Sequence, residues 1–236
     1  MNIMPDQFLL NSFINKCIRQ YTDFMDIAEM PSFDVIPINL SLDGANKKGY
    51  GSLATHYYDI NTGAHRLEVW KDLYKPQLHA EYLLFHEFTH IVDTETYSNR
   101  DKMKNVSIKG YTEYHAAQVD FLRILGAKNI SSFSSFSLKQ ELETIPRRES
   151  ALDYVLNAHN TAATLIAQPD FPGDIETLAT TLGLLFNYLG RLSICKMYAE
   201  DYGCYIDKFS DTTIEQQFFG KDVYQALAAF FKWLVA

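Results

Sequence analysis

The chain has 236 residues, 47% hydrophobic and 14% aromatic, which is apolar material enough for a sizeable core and excludes a disordered or fibrous protein. Its 21 Lys and Arg against 29 Asp and Glu leave a formal net charge of −8, a field that opposes gripping a phosphate backbone, so nucleic acid is not an expected partner. Cys17, Cys195 and Cys204 are odd in number and lack the spacing of ligand pairs; they read as reduced thiols filling apolar gaps in a reducing compartment.

Met1 to Leu10 carries no Lys or Arg ahead of its apolar residues, unlike a secretory signal. No stretch reaches the roughly 18 uninterrupted apolar residues of a membrane span, and the greasiest, Ala226 to Ala236, contains Lys232. The expectation is a cytoplasmic protein without membrane contact. Helical spacing of Phe8, Leu9, Phe13, Ile14, Cys17, Ile18 and Tyr21 predicts a helix from Pro5 to about Ala28, stopped by Pro31. Phe33 to Leu40 reads as a strand that Pro37 pushes to an edge or a bulge. Leu53–Asp59 and His65–Trp70 alternate apolar and polar residues on either side of Asn61 and Gly63, the pattern of a β-hairpin.

A helical pattern then runs from Pro76 to about Val92, followed by an irregular polar stretch, Thr94 to Lys109, and a second helix from Tyr111 to Leu125 stopped by Gly126. The serine-rich segment 131–137 marks a boundary between a unit of residues 1–130 and a helical unit of residues 131–236, unless the two form one continuous domain. Helices are expected at about 138–144, 150–167, 174–200 and 213–235, with capping pairs Ser137 with Gln140 and Thr212 with Glu215. The expected class is α+β: a small antiparallel or mixed sheet with a hairpin, two active-site helices, and a mostly helical C-terminal half.

Within the helix of residues 76–92 lies His86-Glu87-Phe88-Thr89-His90, an H-E-x-x-H motif. Side chains at i and i+4 stack on one helix face, so both imidazoles can approach one Zn²⁺ at about 2.0–2.1 Å. Glu87, about 100° round the helix, is placed to reach a metal-activated water without ligating the metal. The helical context supports the motif, because Leu84, Phe85, Phe88, Ile91 and Val92 share one apolar arc while His79, Tyr82, His86, His90 and Asp93 lie opposite. A metzincin would carry Gly at 93 and His at 96, but the chain has Asp93 and Thr96. Asp93 sits about 10.5 Å along the axis from His86, too far to share its metal, and suits accepting the free ring N–H of His90 or ordering the helix end.

Zinc in a hydrolase needs a third protein ligand and an open fourth position. The first candidate is Glu113 in Tyr111-Thr112-Glu113-Tyr114-His115-Ala116-Ala117-Gln118, whose small Ala116 and Ala117 would let the two helices approach; His115 and Asp120 are alternatives. The strand His65–Trp70 is expected to offer an exposed edge for an extended substrate. Tyr97, Tyr111, Tyr114, His79 and His115 are candidate donors to the developing oxyanion. The short basic pairs Lys47-Lys48, Arg147-Arg148 and Lys102 with Lys104 read as solvated, and Phe230, Phe231 and Trp233 as core.

The order of helix, hairpin strands, H-E-x-x-H helix and glutamate-bearing helix, over about residues 33–126, resembles the zincin metallopeptidases whose third ligand is a glutamate. Among these it looks like the ImmA/IrrE family of bacterial and mobile-element peptidases, with an E-x-x-A-N-x-F-A pattern; Glu113 and Ala116 match, Ala117 replaces the Asn, and Phe121 falls two places late. The resemblance implies zinc on His86, His90 and Glu113, Glu87 as general base, and a peptide or a regulatory protein as substrate. The competing readings are a zincin-like binding module without activity and a zinc hydrolase of a non-peptide bond.

Overall fold

The computed structural model describes residues 5–39, 53–98, 100–145, 147–209 and 211–234; Leu40, Lys47, Lys48 and the side chains of Phe230, Phe231 and Trp233 lie outside the described residues. The first helix forms as its periodicity predicts: α1 (Pro5–Met25) buries Leu10, Ile14, Cys17, Tyr21 and Phe24 and ends at Asp26, whose φ of 54° breaks the helix. β1 (Phe33–Ile38), β2 (Ala54–Asp59) and β3 (Ala64–Trp70) make a mixed sheet in the order β1-β3-β2, with β1 parallel and β2 antiparallel to β3. Pro37 lies on the edge strand β1, where a missing donor is tolerated.

His65, Leu67 and Val69 are buried on one side of β3, whereas Arg66 and Glu68 pair on the other at 3.2 Å. The hairpin is therefore as expected, but the substrate edge is not. β3 is hydrogen-bonded on both sides and has no edge to offer; the edge next to the motif helix is β2.

After a 3₁₀ turn (Pro76–Leu78) the backbone of His79 turns left-handed, φ 48°, so α2 starts only at Glu81 and runs to Ser98. α3 (Lys102–Ile124) begins at once, because the Asp101 carboxylate accepts hydrogen bonds from the N–H groups of Met103 and Lys104. The irregular stretch expected at 94–109 is thus the end of α2 and the start of α3. Its polarity misleads because Thr94 and Ser98 are buried instead of facing solvent.

Ser137 makes a turn, its carbonyl accepting from Gln140, and not a helix cap. Residues 138–144 accordingly do not form the expected helix; β4 (Glu141–Glu143) pairs antiparallel with β5 (Arg148–Ser150), with Leu142 buried between two exposed glutamates. α4 (Ala151–Ile166) and α5 (Ile175–Tyr198) follow, capped by Ser150 and Asp174. A 3₁₀ turn (Tyr202–Tyr205) and the short α6 (Ile206–Phe209) precede α7 (Thr213–Phe219) and α8 (Lys221–Leu234). Those last two replace the single helix expected at 213–235, broken where Gly220 takes φ 78°. Thr212 makes no side-chain cap, and Glu215 instead sits buried 3.3 Å from His159.

The class is α+β with a small mixed sheet and a mostly helical C-terminal half. One buried cluster draws on α1, β3, α2, α3, α4 and α5. The serine-rich segment is packed into it: Phe133 and Phe136 lie against the core, Phe136 bridges to Ala199, and Ser137 donates to Asp201. α5 is the one helix among the described residues long and apolar enough to cross a membrane, and here it lies against α3 and α4. Its approach to α3 depends on glycine, since a Cβ at Gly190 would stand 2.2 Å from the carbonyl oxygen of Tyr114. Cys17 and Cys195 are buried fillers, their thiols pushed up to about 12 by burial, whereas Cys204 is exposed, contrary to expectation.

Candidate metal centre

His86 and His90 leave adjacent turns of α2 with their Nε2 atoms 3.1 Å apart, and Glu113 on α3 brings Oε2 to 3.7 Å from each. A triangle with those sides has its equidistant point about 2.0 Å from every corner, the length of a Zn–N or Zn–O bond. The donor set could thus hold a metal ion. Among the described residues no other group of three His, Cys, Asp or Glu converges in this way. Gly183 of α5 lies behind Glu113, where a Cβ would stand in ordinary contact with the carboxylate at 3.6 Å.

Asp120, two turns beyond Glu113 on α3, accepts the Nδ1–H of His86 at 2.9 Å, so that Nε2 is the nitrogen that offers a lone pair to a metal once the ring is neutral. Its other partner is Arg191 of α5 at 3.0 Å, and that guanidinium lies 4.1 Å above the Tyr154 ring. Asp120 is therefore a support for His86 and not a ligand. Asp93 does not serve His90 as expected; both its oxygens accept from His115 Nδ1, at 3.0 and 3.1 Å. His115 itself is not among the side chains whose ligand atoms converge.

Glu87 is held from the sheet side: the backbone N–H of His56, on the free edge of β2, donates to Glu87 Oε2 at 2.7 Å. Two cavities flank it. One of about 290 Å³ is lined by Thr55, His56, Lys109 and Thr112 with the three converging side chains. The other, about 280 Å³, has apolar walls of Leu53, Leu83 and Ile145, with Asn187 and Arg191 at its polar end; both cavities include His86 and Glu87.

Burial disfavours charge on His86, but hydrogen bonds with Asp120 and Glu113 outweigh it and raise its pKa to about 10. His90 is lowered to about 4 by burial, although Glu113 pulls the other way. Burial also opposes ionisation of Glu113, yet His90 and His86 hold it at about 2. Glu87 is raised to about 7 by burial, against the pull of His86 and the His56 N–H. Without metal the pocket therefore keeps one proton on a nitrogen that a metal would occupy.

The five oxyanion candidates are elsewhere. Tyr114 is buried in the core, Tyr111 stacks on His115, Tyr97 meets the Tyr111 ring edge-on at 5.6 Å, and His79 pairs with Glu143 at the surface; none of them lines either cavity. The groups that do, Lys109, His56 and Arg191, were missed. Lys109 carried a readable signal, being one turn before Glu113 on the same helix face. His56 and Arg191 carried none, since strand edges and helix partners are set by the tertiary fold. No family model matches the chain, and no curated protein or solved structure matches it either.

Proposed function

We propose that the protein is a zinc-dependent peptidase of the zincin type. The observation that carries the reading is the convergence of His86 Nε2, His90 Nε2 and Glu113 Oε2 around one point at metal–ligand distance, with Glu87 on the next residue of the same helix. A peptide substrate is supported by the edge of β2 beside Glu87, to which no strand is paired among the described residues, and by the cavities on either side of it, which suit the side chains flanking a scissile bond.

A zinc ion held by the three ligands would supply Lewis acidity, lowering the pKa of a bound water to about 7 and polarising the carbonyl. Glu87 takes the proton of the attacking water and passes it to the leaving amine. The His56 N–H aims that carboxylate, and Asp120 keeps the imidazole of His86 in its ligating tautomer. Lys109 takes the place of the five expected donors: it lines the cavity with the three converging side chains and supplies a positive charge there to offset the negative charge that develops on the attacked carbonyl.

The test is Glu87→Gln, assayed on a peptide library with zinc counted by mass spectrometry. Hydrolysis should fall by about 10²–10⁴-fold while one zinc per chain is retained. A variant with full activity would sink the mechanism, and a zinc-loaded wild type that cleaves no member of the library would sink the peptidase reading.

A further inference from the structure

Three titratable side chains outside the ligand set form a line that ends at the proposed base. Glu95 is on α2, eight residues after Glu87, and its Oε2 lies 3.2 Å from His65 Nε2 on the central strand β3. His65 Nδ1 lies 2.9 Å from His56 Nε2 on β2, and the backbone N–H of His56 donates to Glu87 at 2.7 Å. Helix α2 is thereby tied to the sheet at two points, and a ring-to-ring hydrogen bond joins the two. The imidazoles sit on neighbouring strands as a diagonal pair, since His56 is opposite Leu67 and Tyr58 opposite His65. Their planes are within 23° of each other and their centroids 5.1 Å apart, as an edge-to-edge bond between two rings requires; the Tyr58 ring covers His65 and the His90 ring runs parallel to His56.

We propose that Glu95 and His65 are positioning residues for the peptidase reaction, fixing His56 and, through its backbone N–H, the direction of the Glu87 carboxylate. This rests on the reading of Glu87 as general base. The direction of every hydrogen bond follows from the chemistry of the ends. A carboxylate only accepts, so His65 carries its hydrogen on Nε2 and offers a lone pair at Nδ1. With both rings neutral, His56 must then supply the hydrogen from Nε2. Its ring cannot flip or change tautomer without breaking the bond to His65, and β2 is pinned beside Glu87. The brace has no evident folding duty at its outer end: the Glu95 side chain is 57% exposed, whereas that of His65 is 2% exposed.

The experiment uses the full chain, loaded with zinc and labelled with ¹⁵N. Imidazole nitrogen spectra should show Nε2–H tautomers at His56 and His65. Glu95→Ala should release them to a mixture of tautomers and lower kcat about tenfold, a typical loss for a supporting partner, with KM and zinc content unchanged. Glu95→Gln keeps an acceptor oxygen and should restore both readouts. The proposal is overturned if Glu95→Ala leaves tautomers and kcat unchanged, if it changes KM instead of kcat, or if Glu95→Gln fails as Glu95→Ala does. A wild type without peptidase activity would remove the reaction but not the brace, which the tautomer spectra then decide alone.

Discussion

Zinc binding should release a number of protons that depends on pH, and the geometry of the site gives that number. In the metal-free protein His86 titrates at about 10, because Asp120 and Glu113 overcome its burial; His90 titrates at about 4 and Glu113 at about 2. Between pH 7 and 9 the ligand set therefore carries one proton, on His86. A ligating imidazole must be neutral at the metal, so that proton leaves, and each unit fall in pH should weaken apparent zinc affinity about tenfold. Glu87, raised to about 7 by burial, holds a second proton below that pH, which the incoming cation expels. Release from the side chains should climb from one proton at pH 8 towards two at pH 5, beside the proton that a metal-bound water of pKa about 7 loses above that pH.

The same shifts set the sign of the metal-free protein's stability. The contribution of His86, whose usual pKa is 6.5, is fully present below that pH and is lost as pH rises through about 10. Glu87 acts in the same direction from its usual 4.5 to about 7. His90, lowered to about 4, opposes them only below its usual 6.5, so the metal-free fold should weaken as pH rises from about 6.5 to 10 while zinc protects it increasingly. Calorimetric titration in two buffers of different ionisation enthalpy counts the protons, and Glu87→Gln should remove only the second. Zinc affinity flat between pH 7 and 9 would refute the reasoning, since it would mean that no proton occupies His86.

Two substitutions test the supports of the site. Asp120→Asn keeps the volume and one acceptor oxygen but leaves Arg191 buried without its counter-charge; urea unfolding should show a loss of about 3 kcal/mol and competition with a chelator a 10–100-fold weaker zinc site. An unchanged urea midpoint would show that the pair contributes nothing. Gly190→Ala gains about 1 kcal/mol of helix propensity, but its Cβ would meet the Tyr114 carbonyl at 2.2 Å, and overpacking against a backbone atom costs about 1–3 kcal/mol. The midpoint of thermal unfolding should fall; a rise would mean that α3 and α5 do not cross this closely.

How far the site could be read from the chain follows from the range of each signal. His86, Glu87 and His90 are legible because an i, i+4 relation on a helix is fixed by local geometry, and Glu113 because small neighbours mark a helix that can approach. Asp93 and Asp120 show where local reading stops. Both lie on polar helix faces, and only the packing of α2 on α3 decides that Asp120 supports His86 while Asp93 takes His115. The 94–109 segment misleads for a like reason: Thr94 and Ser98 are polar in the sequence yet buried on an α2 that continues past the motif. The strand edge was a matter of sheet order, since a parallel β1 arriving on the far side of β3 turns the expected edge into the centre and leaves β2 beside Glu87. The residues proposed to hold a metal carry a signal within one helix each; those that orient them come from chain segments far apart, as Arg191 does 71 residues beyond Asp120, and they emerge only when the helices and strands are in place.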